Sequence, residues 1–123
     1  KLVPGPQSEH KINLNYLKQI ADGNDEFIIE MIEMFLNKTP EALAEMKTSY
    51  QEKNWDSLRQ IAHRIKPSFA YIGLPGTQKT LAEIEKLSEE ANNPEKVDEL
   101  MTEVSYACES AFSQLEQELI SMK

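Results

Sequence analysis

The stretch Ile61–Leu74, IAHRIKPSFAYIGL, decides how this chain is read. On a helix turning about 100° per residue, Ile61, Ala62, Ile65, Phe69 and Ile72 join Leu58, one turn earlier, in a single sector. That is the apolar stripe expected to face a core. His63 falls about 150° from the centre of that sector and is expected to point into water. Its neighbours on the helix surface are the residues three and four away: Arg59, Gln60, Lys66 and Pro67. Proline inside a helix removes the donor to the carbonyl four residues back, which here is the carbonyl of His63.

Working outward, the same 3.6-residue periodicity runs from about Asn15 to the end, and no β-branched alternation marks a strand. NYLKQI (15–20) predicts a short first helix ending near Asp22-Gly23. A long second helix follows, with Asn24 as N-cap and acids in its first turn; Pro40 should bend or interrupt it. The third runs from an Asn54 cap to a close near Gly73. A fourth follows the Pro75-Gly76 turn, and a last one opens with Asn93 as cap and Pro94 at its first position. In that helix Val97, Leu100, Met101, Val104, Cys108, Ala111, Leu115 and Leu119 share one stripe. Short connections make successive long helices antiparallel neighbours. The expected fold is all-α, an antiparallel up-down four-helix bundle with a short extra N-terminal helix. Residues 1–11, proline- and glycine-rich, read as a linker or expression remnant, and 12–123 as one domain.

Bulk properties narrow the function. A chain of 123 residues, 40% hydrophobic and 28% charged, suffices for one core without staples. With 21 acidic against 13 basic residues the net charge is −8, which argues against nucleic acid, whose phosphates call for clustered Lys and Arg. A single cysteine, Cys108, cannot form an internal disulfide and suits a reducing compartment. No apolar run is long enough for a membrane span and none resembles a signal peptide, so a cytoplasmic location, without direct membrane contact, is expected.

The surroundings of His63 suggest a chemistry. Lys66 is placed to hold an anion beside the imidazole, and Arg64 and Arg59 add positive potential to an otherwise acidic chain. A nearby cation disfavours imidazolium and so favours a neutral, nucleophilic ring nitrogen near pH 7. Pro67 and Ala70 offer little bulk, which leaves the ring approachable. The combination suits a histidine that accepts and gives up a phosphoryl group.

The segment AHRIKPSFAYIGL resembles the region around the active histidine of HPt (histidine-containing phosphotransfer) domains: Ala62, His63, Ile65, Lys66, Ser68 and Gly73 match in order and spacing. FLNKTPEALAEMKTSYQEKNWDSLRQIAHRIK and INLNYLKQIADGNDEF are similar to the family's upstream helices, so the resemblance covers roughly residues 12 to 87. It implies a phosphorelay intermediate. His63 would take a phosphoryl group on Nε2 from a receiver-domain aspartate and pass it to another, with Lys66 stabilising the phosphoryl oxygens. Ser68 and Gly73 are family-pattern positions with a structural bearing. Gln78 and Lys79, early in the fourth helix, are candidates to reach His63. The chain would be a carrier without cofactor or nucleotide site of its own; neither a P-loop nor a glycine-rich kinase loop is present, and Mg²⁺ would come with the receiver. The implied partners are receiver domains and a hybrid sensor histidine kinase, with the chain itself monomeric. The departure is Pro67, where most of the family has glycine; it reads either as a kink fitting the helix to its bundle or as a change in geometry around the phosphoacceptor. The rival function is a helical adaptor that binds receivers or other signalling proteins without chemistry.

Other features are weighed against this. His10 lies in the leader. Two distant histidines and one cysteine make no metal site. Met31, Met34 and Met46 read as core filler, and Cys108 as buried packing. Phe27, Ile28, Met31 and Ile32 cover more than one face of the second helix, which suggests either cover by the first helix or an apolar docking patch for a receiver. The acidic run EIEKLSEEANNPEKVDE (83–99) reads as a solvated surface.

Overall fold

Capping chemistry sets where the helices begin and end. In the computed structural model, which describes residues 11–123, the helices are α1 (Asn15–Ala21), α2 (Asp25–Gln51), α3 (Trp55–Tyr71), α4 (Pro75–Glu89) and α5 (Pro94–Met122). Asn24, Asn54 and Asn93 each accept, through the side-chain oxygen, a backbone N–H of the first turn: those of Phe27, Ser57 and Lys96. This satisfies donors that a helix start would otherwise leave bare. Pro94 and Pro75 sit where a missing N–H costs nothing.

Three of the C-terminal ends share one device. After α3, Gly73 N–H donates to Ala70 O at 3.2 Å and Leu74 N–H to Phe69 O at 2.9 Å, the paired bonds of a Schellman motif. The residue at the turning position must adopt a left-handed backbone, and Gly73 does so at φ +73°. The same pair of bonds closes α2 around Lys53 and α4 around Ala91, at φ 59° and 49°, without glycine's freedom from Cβ crowding.

Of the two outcomes expected at Pro40, a bend or a break, the break does not occur: the helix runs unbroken from Asp25 to Gln51. Pro67 is likewise carried inside α3. Both rings are exposed, where a helix can bend away from its core and let water satisfy the orphaned carbonyl. An interior proline still costs about 3 kcal/mol relative to alanine.

α2 to α5 form the bundle. Each packs on its neighbours in sequence, α3 most extensively on α4, and α5 closes the ring against α2. α1 lies over one end, on α2 and α3. The stripe drawn from the sequence is the core: Leu58, Ile61, Ala62, Ile65, Phe69 and Ile72 are all buried. Phe35 joins three helices, its ring edge-on to Phe69 at 5.2 Å and to Phe112 at 5.9 Å. At the far end Tyr50 meets Trp55 edge-on at 5.7 Å and donates its hydroxyl to Pro94 O at 3.0 Å, fastening the end of α2 to the start of α5. Cys108 is buried in this core. Desolvation pushes its thiol up to about 12.

The segment before α1 is clipped to the bundle. Ile12 N–H donates to Gln114 Oε1 at 2.9 Å and Asn13 N–H to Ile72 O at 2.9 Å. Asn13 therefore crosses directly over Gly73, where a Cβ would collide with the Asn13 backbone. Residues 1–10 of the leader, His10 among them, lie outside the described residues. No helix among the described residues is long and apolar enough to cross a membrane.

Candidate functional site: a histidine, a lysine and a shared carboxylate

His63 stands two turns from the end of α3 with its side chain 68% exposed, outward as the helical wheel requires. The structure adds a residue that the sequence reading did not single out. Glu85 of α4, only 19% exposed, places Oε2 at 2.8 Å from His63 Nδ1 and Oε1 at 2.7 Å from Lys66 Nζ. One carboxylate thus binds both candidate side chains across the α3–α4 interface.

The electrostatics fix the proton. Desolvation is the largest influence on Glu85 and would raise its pKa, but the hydrogen bonds from Lys66 and His63, with their charges, outweigh it and hold the carboxyl below its usual range. An ionised carboxylate only accepts hydrogen bonds, so Nδ1 of His63 is the protonated nitrogen. In the neutral ring the lone pair then lies on Nε2. The exposed imidazole is held in one tautomer, with its nucleophilic nitrogen turned away from Glu85.

The structure adds partners to the expected residues. Lys66 is not a free cation beside the ring; it is ion-paired with Glu85, its side chain 26% exposed. Arg59 and Arg64 are also engaged elsewhere. The Arg59 guanidinium pairs with Asp56 at 3.0 Å, a hydrogen bond that raises its pKa. Arg64 reaches across to Glu45 of α2 at 3.1 Å. Gln78 and Lys79 are not the α4 residues that meet His63. Ser68 is half-buried on α3, and Gly73 forms the turn at its end.

Glu85 was hidden in the acidic run read as solvated surface, yet spacing could have found it. α3 and α4 are antiparallel around a turn at Leu74, and His63 and Glu85 each lie eleven residues from it. By the same count Gln78 and Lys79, four and five residues past the turn, come level with the last turn of α3 and not with His63.

The docking patch also needs correction. Ile28 and Ile32 are 4% and 0% exposed and belong to the core, so they cannot meet a partner. Phe27 and Met31 are half-buried against that core. Met34, expected inside, is 56% exposed. It stands with Met31, Phe35, Ile65, Tyr71 and Arg64 around a groove of ≈ 550 Å³ between α2 and α3. Beside it Tyr16 of α1 stacks on Tyr71 at 5.8 Å. Among the described residues, no group of three or more His, Cys, Asp and Glu side chains could hold a metal ion.

Comparison with known proteins places the chain by family and by fold. The Hpt domain family matches residues 30–120. The phosphorelay intermediate protein rdeA of Dictyostelium discoideum is 27% identical over 81 residues, covering 66% of this chain. That region is 32% of the relative, so the chain spans about a third of its length. The crystal structure of the HPT domain from a hybrid histidine kinase of Shewanella superposes with a TM-score of 0.70, over 92% of this chain and 97% of that one at 22% identity, a likeness of fold. By its match across most of its length, the chain belongs to the Hpt domain family, the histidine phosphotransfer modules of two-component phosphorelays.

Proposed function

We propose that His63 is the phosphoacceptor of a phosphorelay, taking its phosphoryl group from the aspartyl phosphate of one receiver domain and giving it to the aspartate of another. The observation that carries this reading is the bond from His63 Nδ1 to Glu85, which leaves Nε2 as the exposed nucleophile. The Nε2 lone pair attacks phosphorus, the bond to the aspartyl oxygen breaks, and the receiver recovers its carboxylate. No proton need move. The ring, now substituted on Nε2 and still protonated on Nδ1, gains positive charge that Glu85 faces at 2.8 Å. An orienting carboxylate of this kind holds a tautomer and stabilises the imidazolium-like product.

Lys66 supports the same step. Its ammonium has three donors, and one is spent on Glu85. The others are available to oxygens of a phosphoryl group arriving on the ring of His63, three residues away on the same face. Positioning and charge stabilisation dominate such transfers, and in this reading the receiver supplies Mg²⁺. The α2–α3 groove, with Met34 and Tyr71 at its edge and Arg64 at its mouth, is the receiver's docking surface, in place of the buried Ile28 and Ile32.

The test is label transfer from receiver domains charged with labelled acetyl phosphate and Mg²⁺ to the wild type and to His63→Gln. Label on the wild type alone, stable to base and lost in acid, is the expected result. Receiver binding without transfer would instead make the chain an adaptor.

A further inference from the structure

We infer that Pro67 makes the main-chain carbonyl of His63 a docking acceptor, so that Pro67 sets which receiver domains this protein binds. The inference rests on the phosphotransfer reading above and concerns recognition at the same face.

Three observations converge. Pro67 lies inside α3, which continues to Tyr71, and proline has no N–H to give the carbonyl four residues back. That carbonyl belongs to His63, so the helix leaves its i→i+4 acceptor empty at the very residue whose ring is 68% exposed. The pyrrolidine ring is itself exposed and stands on the same face as the imidazole, one turn on. Burying the ring is therefore not what the fold gains from this residue; its local consequence is a freed acceptor beside the phosphoacceptor.

A helix carbonyl without its main-chain donor on a solvent-facing side is ordinarily met by water. A partner that covers the face strips that water and leaves the oxygen unsatisfied unless it brings a donor, and an unmade buried hydrogen bond is costly. The receiver domains favoured here are those that present an N–H or O–H opposite this carbonyl. A receiver that meets the position with an apolar group is rejected, a form of selection by penalty.

The experiment compares wild type, Pro67→Ala and a protein with lactate at position 67, measuring Kd and single-turnover transfer with the tightest-binding receiver domain of the source organism. Alanine restores the N–H; lactate has alanine's side chain on an ester oxygen and restores nothing. The expected result is a Kd about tenfold weaker for Pro67→Ala, the size of one interfacial hydrogen bond, with the transfer rate in the saturated complex unchanged. The lactate protein should keep the wild-type Kd. Equal Kd values for alanine and wild type overturn the inference. So does a lactate protein that weakens as alanine does, since ring shape and not the carbonyl would then be read. If Kd follows the predicted order while no label reaches His63, the recognition inference stands and the carrier reading falls.

Discussion

Glu85 accepts the Nδ1 proton of His63 across the α3–α4 interface at 2.8 Å while its other oxygen takes Lys66 at 2.7 Å. The two candidate side chains are therefore one unit, and disturbing the carboxylate disturbs both. Glu85→Gln keeps the shape but removes the charge, and its amide can donate to Nδ1 and favour the other tautomer. Loss of the partner that orients a metal-bound histidine costs about 10–100-fold, and an effect of that order is expected for the orienting partner of His63. Transfer from a charged receiver should slow by that amount, with the far-ultraviolet dichroism unchanged, and the ¹⁵N signals of His63 should report a shift in tautomer.

The same carboxyl gives a pH signature. Its folded pKa is below the unfolded value, so the stability it contributes is complete above the unfolded pKa and disappears as pH falls through the folded one. Urea unfolding of wild type and Glu85→Gln should thus differ at pH 7. The two curves should converge as the pH drops through the depressed carboxyl range, with the wild type losing the advantage.

Gly73 is constrained twice, by a left-handed backbone and by Asn13 crossing over it. The conformational cost of alanine there is about 1–2 kcal/mol, and the collision adds to it. Gly73→Ala should lower stability by about 3 kcal/mol in total, read from the urea midpoint.

Ala91 occupies the equivalent turning position after α4 at φ 49°, with a Cβ that this backbone disfavours. Ala91→Gly should stabilise the bundle by about 1 kcal/mol, which for a domain of this size raises Tm by about 4 °C. Thermal melts followed by dichroism would show it.

Cys108 is buried, with its thiol raised to about 12. Thiolate is the reactive form, so a disulfide reagent at pH 8 should leave the folded protein untouched and modify it fully in denaturant.

The fold was legible because it depends on patterns that one sequence carries. The α3 stripe, the three asparagine caps and the glycine at Gly73 all follow from spacing and side-chain chemistry, and each sits where the periodicity placed it. The exposure of His63 was legible for the same reason. Glu85 was not seen because its importance lies between helices, in a register that must be counted from Leu74, and composition alone labels it surface charge. For Ile28 and Ile32 the choice between burial and docking stayed open for a related reason: an apolar excess on one helix does not say which part of it its neighbours will bury. Pro40 passed through α2 because its ring faces solvent, and solvent side or core side cannot be read from a proline alone.

The clip that carries Asn13 over Gly73 also fixes where a tether can leave the domain. His63 lies ten residues before Gly73, about 15 Å along the helix axis. A fluorophore or surface anchor joined ahead of Ile12 would therefore be held at the α1 end of the bundle, clear of the imidazole. Immobilised that way, the protein would present its reactive face to soluble receivers in one orientation, a geometry suited to watching single transfers in flow.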